Sequence, residues 1–226
     1  MSNFKSLVSG VGNLSKTTKY YDDWSENYDA TLKLWNYQAP KKSIKFLKET
    51  TNFKPNNILD LACGTGLFGA KLKKVYPKSH IYGSDISKKS LKISLEKKTY
   101  AKLQIKNIKI GMTICYDLRF PDLYRQLSKK DCSIILVPAA FTIPTGKDHW
   151  EILNRSRAIE NNVFILATGM CGNHHMQRKT YGYSLIVDPW GKIVNNTKNR
   201  PSILNSTINI SEVKKIRKKI PSLKYE

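Results

Sequence analysis

One cysteine lies where the sequence predicts that a buried strand gives way to a helix. Residues 110–125 read I-G-M-T-I-C-Y-D-L-R-F-P-D-L-Y-R, so small and apolar residues lead to Cys115 and an amphipathic segment follows it. A thiol on such a turn has few rotamers and is exposed at a sheet edge, as a covalent nucleophile requires. An arbitrary cysteine here would more commonly be a small hydrophobic residue that ends a core strand.

A second pattern with chemical meaning occupies residues 58–69, which read I-L-D-L-A-C-G-T-G-L-F-G. It predicts a short strand, a glycine turn and a helix over residues 67–75, with backbone N–H groups free to meet a ligand. The next predicted strand, over residues 80–85, ends on Asp85, where doubly wound folds hydrogen-bond ribose hydroxyls. A lone G-x-G is often only a tight turn, but this order of elements is more specific.

The composition narrows the classes of protein. The chain has 226 residues, of which 40% are hydrophobic and 25% charged, which is typical of a folded protein with one large or two small domains. The net charge of +22 is scattered along the chain rather than gathered in a patch, so we expect no specific nucleic-acid partner. The longest apolar run, over residues 134–141, is too short to span a bilayer, so we expect no membrane partner.

The cysteines and histidines do not indicate a metal site. The four cysteines are far apart and form no C-x-x-C pair, so neither zinc nor a disulfide framework is predicted. His174 and His175 are adjacent and lack a third ligand at suitable spacing, and we interpret them as loop residues near a substrate mouth. The N-terminal residues contain no continuous apolar stretch of signal-peptide length. We therefore expect a reducing, cytoplasmic setting.

Two successions of α/β elements must position these groups. Residues 1–19 are predicted to form a mobile leader, and the first succession then contains a helix over residues 39–50. The second succession is predicted as strands 108–115, 133–137, 163–168, 183–187, 193–196 and 203–209, and as helices 121–129 and 150–161. A hairpin turn over residues 189–191 and a short last helix, capped by Ser211, complete it.

Residues 20–102 carry three motifs in order: Y-Y-D-D-W-S-E-N-Y-D, I-L-D-L-A-C-G-T-G and G-S-D-I-S. These motifs resemble the N-terminal half of class I S-adenosylmethionine-dependent methyltransferases. The pattern stops after Lys98, so the expectation is a partial, Rossmann-like segment. Two strands with their helices bury little apolar surface for an independent domain.

The methyltransferase resemblance implies a cofactor site. Asp60, Gly64 and Gly66 would line the methionine end of S-adenosylmethionine, and Asp85 would hold the ribose. The sequence departs from the family at Ala62, where the family usually has glycine. This change is modest and leaves binding open.

Residues 103–226 resemble the nitrilase superfamily of carbon–nitrogen hydrolases along their whole length. The matching motifs are C-Y-D-L-R-F-P-D-L-Y, V-P-A-A-F-T-I-P-T-G-K-D-H-W-E, R-A-I-E-N-N and Y-G-Y-S-L-I-V-D-P-W-G. The stretch C-G-N-H-H-M-Q-R-K-T-Y-G-Y-S is most similar to the deaminated glutathione amidase branch. The resemblance implies the C-terminal half of an α-β-β-α sandwich, a small-molecule amide substrate and no cofactor. It also implies a homodimer formed through helices beside the nucleophile and the C-terminal tail.

The same resemblance assigns roles at the predicted turn. Cys115 would be the nucleophile of a thioester mechanism, assisted by a glutamate base and a lysine. No glutamate or lysine in this sequence lies in a motif that matches those two, which belong to the first half of the sandwich. Asp117 and Arg119 are expected to stabilise the turn, and Arg157 with Glu160 to form a structural ion pair on one helix.

Three functions are therefore open from the sequence. The first is an amidase of the carbon–nitrogen hydrolase class that acts through Cys115. The second is a methyltransferase with an unusual C-terminal half. The third is an inactive product of recombination between two unrelated segments.

Overall fold

The chain forms two compact units, Met1–Ile105 and Lys106–Glu226, in the computed structural model. The structure describes residues 14–50, 52, 54–96, 108–173 and 179–224. Within these ranges, no helix is both long enough and apolar enough to cross a membrane.

The first unit is built around two parallel strands. Its elements are α1 (Leu14–Trp24), α2 (Tyr28–Leu34), α3 (Ala39–Thr50), β1 (Asn57–Leu61), α4 (Leu67–Val75), β2 (His80–Ser84) and α5 (Lys88–Glu96). Strands β1 and β2 pair in parallel from Asn57 opposite His80, with α4 as the crossover between them. The core of this unit, in the part of the chain that is described, is a cluster of Cys63, Leu72 and Ile81.

The second unit contains a mixed five-stranded sheet. Its elements up to α8 are β3 (Lys109–Met112), a 3₁₀ turn (Cys115–Arg119), α6 (Pro121–Lys129), β4 (Cys132–Ala139), α7 (Ile143–Thr145), a π-helical turn (Gly146–Trp150) and α8 (Glu151–Asn161). It continues with β5 (Phe164–Gly169), β6 (Cys171–Asn173), β7 (Lys179–Tyr181), β8 (Leu185–Val187), β9 (Ile193–Asn196), α9 (Ser211–Lys219) and a last 3₁₀ turn (Ser222–Lys224).

The sheet of the second unit has the order β3-β4-β5-β8-β9. Strands β3, β4 and β5 are parallel, whereas β8 and β9 are antiparallel. Alternate residues of the central strands, such as Ile135, Val137 and Ile165, have no exposed surface. They join a cluster with side chains from α6 and α8, among them Tyr124 and Ala158. One face of the sheet therefore forms the core with these helices.

Among the differences from the predicted elements, the following change the description of a segment. Helix α1 begins at Leu14, so the end of the predicted leader, residues 14–19, is helical. Residues 203–209 do not form a strand. Ser211 is the first residue of α9 rather than its cap, because the side-chain oxygen of Asn209 accepts the hydrogen bond from the Ser211 backbone N–H at 3.1 Å.

Candidate active site at the Cys115 turn

Cys115 lies at the point where the chain leaves the sheet. Strand β3 ends at Met112, earlier than the sequence predicts, and the Thr113 N–H still donates to the Leu136 carbonyl at 3.0 Å. Cys115 then opens the 3₁₀ turn with φ of 48° and is half-buried. A left-handed conformation costs a non-glycine residue about 1–2 kcal/mol, so the contacts around the turn must impose it.

Asp117 closes the turn over the cysteine. Its Oδ2 accepts a hydrogen bond from the Ile114 N–H at 2.9 Å, which confirms the predicted stabilising role. Burial raises the pKa of Asp117 above its ordinary value, while the hydrogen bond from Ile114 opposes that shift. The Asp117 carboxyl group thus binds the backbone of Ile114, the residue before Cys115.

Arg119 contacts Tyr116 within the turn, as expected, and also extends beyond it. Both of its terminal nitrogens lie 3.3 Å from Nδ1 of His149. Arginine can only donate, so Nδ1 must be the unprotonated nitrogen in this contact. The guanidinium carbon also lies 5.3 Å from the Tyr116 ring centroid and 5.5 Å from that of Phe141. A fixed cation four residues after the cysteine could bind an anionic group.

An aromatic cluster extends from Phe141. Its ring centroid lies 4.9 Å from that of Trp150, whose Nε1 donates to the Tyr183 carbonyl at 2.7 Å. Tyr181 and Tyr183 stack at 4.4 Å. Gly146 permits this packing, because a Cβ there would lie 2.2 Å from Cγ of Tyr181. The sequence did not predict the π-helical turn that places Gly146 and Trp150, a type of distortion common at functional sites.

Arg157 makes a buried contact with the Cys115 turn that the sequence did not predict. Its predicted ion pair with Glu160 is present, at 3.0 Å between Nη1 and Oε2. The arginine is also only 5% exposed, and its Nε donates to the carbonyl of Leu118, inside the Cys115 turn, at 3.1 Å. The separation of 39 residues between the two partners hides this contact from any local pattern.

The predicted cofactor residues of the first unit lie in a second strand–turn–helix. The Gly64 N–H donates to Oδ2 of Asp85 at 2.8 Å, and the Ser87 N–H donates to Oδ1 at 2.9 Å. Gly64 and Gly66 have φ of 53° and 91°, as the predicted turn requires, and Ala62 has φ of 60°. The structure thus brings Gly64 and Asp85 together.

Asp60 lies close enough to this turn to influence it electrostatically. Burial raises the pKa of the Cys63 thiol to about 12, and the negative charges of Asp60 and Asp85 add to that shift. Cys63 is therefore protonated at neutral pH and is no nucleophile. Asp85 accepts backbone hydrogen bonds from Gly64, Ile86 and Ser87. A carboxylate offers about four acceptor positions, so one position remains for a hydroxyl donor such as that of a ribose.

The remaining predicted residues add no further site. His174 and His175 lie outside the described residues. Among the residues that are described, no group of three or more His, Cys, Asp or Glu side chains could hold a metal ion. Cys132 is buried at the start of β4, and burial raises its pKa.

Comparison with known proteins places this turn in a family. The family model described as carbon-nitrogen hydrolase matches residues 48–218, which is most of the chain. The chain therefore belongs to the carbon–nitrogen hydrolase family, and the resemblance of residues 103–226 to that class is confirmed. The matched range begins in the first unit and includes Asp60 and Asp85.

Individual relatives narrow the comparison. The deaminated glutathione amidase of Synechocystis is 44% identical over 116 residues, which are 51% of this chain and 43% of the relative. That of Dictyostelium discoideum is 38% identical over 157 residues, or 67% of this chain and 54% of the relative. The chain thus spans about half the length of the curated relatives it matches.

A solved structure shows the same fold. Saccharomyces cerevisiae Nit3, a member of branch 10 of the nitrilase superfamily, superposes with a TM-score of 0.57 at 22% identity. The match covers 81% of this chain and 86% of the yeast chain. The fold is therefore the α/β fold of the nitrilase superfamily.

Proposed function

We propose that this protein hydrolyses the carbon–nitrogen bond of a small ω-amide, such as deaminated glutathione, with Cys115 as the nucleophile. The observation that carries the proposal is the conformation of Cys115, which is held at φ of 48° at the head of the turn between β3 and α6. Membership of the carbon–nitrogen hydrolase family and the similarity to deaminated glutathione amidases support it.

The reaction follows from a thiol and an amide. The Cys115 sulfur attacks the amide carbon, the carbon–nitrogen bond breaks, and the nitrogen leaves as ammonia with the thiol proton. Water then attacks the thioester, which releases the carboxylic acid and regenerates the thiol. A free thiol has a pKa of about 8.5, so the first step needs a proton acceptor at neutral pH.

The glutamate and lysine that the family resemblance implies have no matching motif in this sequence. Groups that act as a unit lose most of their rate when one member is removed. We therefore expect formation of the thioester to be slow and turnover to be slower still. An assay must measure the two steps separately.

Arg119 supports an anionic substrate. Its guanidinium lies between the Tyr116 and Phe141 rings and four residues along the chain from Cys115, in contact with His149. Arg–carboxylate pairs are strong and directional, and deaminated glutathione carries carboxylates. Arg119→Met is expected to raise KM more than it lowers kcat.

The experiment that tests this function measures ammonia release from deaminated glutathione by the full chain. Cys115→Ala is expected to lower the rate by about 1000-fold or more, as removal of a nucleophile does. Cys171→Ala is the matched control, since Cys171 is also half-buried, and it should leave the rate unchanged. A Cys115→Ala protein as active as the wild type would remove the proposal.

Exposed apolar side chains of the second unit support a homodimer. Ile152 is 66% exposed and Ile159 48% exposed on α8, and Trp190 is 53% exposed. Ile159 and the Trp190–Gly191 turn are adjacent, because a Cβ on Gly191 would lie 2.5 Å from the Ile159 side chain. Sedimentation of the full chain should show a dimer that Ile152→Asp with Ile159→Asp dissociates. A wild-type monomer at micromolar concentration would contradict this.

A second function concerns the first unit, where the Gly64–Asp85 hydrogen bond joins two of the predicted cofactor residues. We infer that this turn binds S-adenosylmethionine, with Asp85 accepting from a ribose hydroxyl and Gly64 and Gly66 admitting the methionine end. The bound cofactor would supply an electrophilic methyl group. Calorimetry should detect binding that Asp85→Ala abolishes and Asp122→Ala, an exposed control in the second unit, does not. No heat with the wild type would exclude this function.

A further inference from the structure

We propose that Arg157 is a positioning residue for Cys115, which it holds in place through the carbonyl of Leu118. The catalytic importance of this position rests on the proposed function, whereas the contacts themselves do not. Arg157 lies on α8, outside the turn, and is therefore able to fix the turn from a separate element.

The burial of Arg157 shows that its contacts are specific. The side chain is 5% exposed, and a buried charge is costly unless it is paired and hydrogen-bonded. Its Nε donates to the Leu118 carbonyl at 3.1 Å, and its Nη1 donates to Glu160 Oε2 at 3.0 Å. Leu118 itself has no exposed surface, so water cannot readily replace the arginine at that carbonyl.

Arg157 also reaches the other end of the cysteine segment through Tyr124. The guanidinium carbon lies 5.6 Å from the Tyr124 ring centroid. The Tyr124 hydroxyl is 2.7 Å from Oγ1 of Thr113, which donates to the Leu136 carbonyl at 2.9 Å. Because the Thr113 hydroxyl donates its proton to Leu136, the Tyr124 hydroxyl is the donor in its bond to Thr113. Thr113, before the turn, and Leu118, within it, are thus both connected to the buried guanidinium of Arg157.

Besides the Asp117–Ile114 side-chain bond and the burial of Leu118, the turn has two backbone hydrogen bonds of its own. Within it, the Asp117 N–H donates to the Ile114 carbonyl and the Phe120 N–H donates to the Asp117 carbonyl, each at 3.0 Å. Five residues of 3₁₀ helix are marginal by themselves. A strained residue such as Cys115 persists only where surrounding structure over-determines it. Loss of the Arg157–Leu118 bond should therefore relax the turn and displace the thiol.

Arg217 provides a matched control on the same unit. Its Nη2 donates to the Cys132 carbonyl at 2.7 Å and its Nη1 to Asp131 at 2.9 Å. It thus also joins a backbone carbonyl to a carboxylate, but at the start of β4 and from α9. Replacing it tests the loss of an arginine–carbonyl bond away from Cys115.

The test is hydrogen exchange measured by mass spectrometry on the full chain. In Arg157→Met, amides in the peptide that spans residues 113–120 should exchange about 10-fold faster or more, because the turn opens locally. In Arg217→Met this peptide should exchange as in the wild type, and the peptide around residues 130–133 should change instead. Arg157→Lys, which keeps the charge and one donor position, should give an intermediate rate.

Two results would overturn the proposal. One is unchanged exchange at residues 113–120 in Arg157→Met. The other is acceleration of the whole second unit to the same extent in both arginine variants, which would indicate a global role. If Arg157→Met fails to fold, Arg157→Lys decides, since exchange equal to the wild type at this peptide contradicts the proposal and faster exchange supports it.

Turnover gives an independent measurement. Where ammonia release is measurable, Arg157→Met should lower kcat by about 10- to 100-fold with a smaller change in KM, since a displaced nucleophile reacts poorly. Arg157→Lys should restore part of kcat. Failure to detect ammonia with the wild type counts against the proposed function alone, because the exchange experiment does not need turnover.

Discussion

The two units of this protein contain the same local device in different surroundings. In the first, Ala62 at φ of 60° follows β1, and Asp85 accepts the Gly64 N–H. In the second, Cys115 at φ of 48° follows β3, and Asp117 accepts the Ile114 N–H. Each unit thus has a strand, a left-handed non-glycine residue and an aspartate bound to backbone.

The cysteines at these two turns have different surroundings. Cys63 is 8% exposed, and burial with two neighbouring carboxylates raises its pKa to about 12. Cys115 is half-buried, and the cation of Arg119 extends from its own turn. The first unit thus has its left-handed residue at Ala62, one position before a buried thiol, whereas in the second unit the left-handed residue is the half-buried cysteine itself. The two thiols thus differ in burial and in the charges around them.

The surroundings also differ in the amount of structure that supports each turn. The first unit has a two-stranded sheet and, within the described residues, a buried cluster of three side chains. In the described part of the second unit, there are a five-stranded sheet and a cluster of 12 buried side chains. Strain at a turn is maintained by packing beneath it, so the second unit is better able to hold a strained residue such as Cys115.

Trp150 gives the largest expected effect on this comparison. It is 1% exposed in the core of the second unit, so Trp150→Ala should lower the free energy of unfolding of that unit by about 3–5 kcal/mol. Trp190→Ala, at an exposed tryptophan, should change it by about 0.5 kcal/mol or less. Urea unfolding, followed by hydrogen exchange in the peptides of β4, measures the change in the free energy of unfolding for both variants. Equal effects of the two variants would show that the described core does not stabilise the unit.

Hydrogen exchange in the central strands of the wild type should show the difference in stability between the two units directly. β4 pairs with β3 and β5, whereas β1 and β2 form a two-stranded sheet. Amides of residues 134–137 are therefore expected to exchange about 100-fold more slowly than those of residues 58–61, because opening them requires unfolding a larger core. Equal protection in the two strands would mean that the units unfold together.

The sequence predicted those elements whose signals are local. Helices α3, α4 and α6 have the predicted bounds, because their periodicity, a preceding glycine turn and Pro121 at the first position of α6 mark them. The cysteine turn was also placed correctly between a strand and a helix. The role of Asp117 followed from its position two residues after the nucleophile.

The sequence failed where distant contacts decide. The apolar pattern of residues 203–209 is compatible with a strand, but these residues do not pair into one. The π-helical turn before α8 depends on Tyr181 packing against Gly146. The buried contact from Arg157 to Leu118 joins elements 39 residues apart. None of these three has a signal in short-range spacing.

The two aspartates should give the turns a common pH dependence. Burial raises the pKa of Asp85 and of Asp117 above 3.8, so over the window from 3.8 to each raised value the folded state holds a proton that the unfolded state has lost. The wild-type stability due to each group is complete below 3.8 and is lost as the pH rises through that window. Asp85→Asn and Asp117→Asn should lack that decrease.

Thermal unfolding between about pH 3 and pH 7 measures this dependence as the difference in Tm between wild type and variant. Asp122→Asn, at an exposed position, is the control for loss of a surface carboxyl group. If the difference in Tm between wild type and Asp117→Asn stays constant with pH, burial does not raise the pKa of the Asp117 carboxyl group.

The smallest expected effect is at Ala62. A left-handed alanine costs about 1–2 kcal/mol, and glycine forfeits about 0.5–1 kcal/mol in chain entropy, so Ala62→Gly should stabilise the first unit by about 0.5–1 kcal/mol. Ala70→Gly, in the exposed face of α4, should instead destabilise it by about 1 kcal/mol. Urea unfolding of the full chain measures both, and destabilisation by Ala62→Gly would show that the turn at Ala62 is not strained.

The central claim is that Cys115 is the nucleophile of a carbon–nitrogen hydrolase, and trapping the thioester tests it most directly. The full chain is incubated with deaminated glutathione, quenched in acid, digested and analysed by mass spectrometry. The account predicts that the peptide containing Cys115 gains the mass of the substrate minus ammonia, and that the peptides of Cys63, Cys132 and Cys171 do not. An unmodified Cys115, or an acyl group on another cysteine, would contradict it.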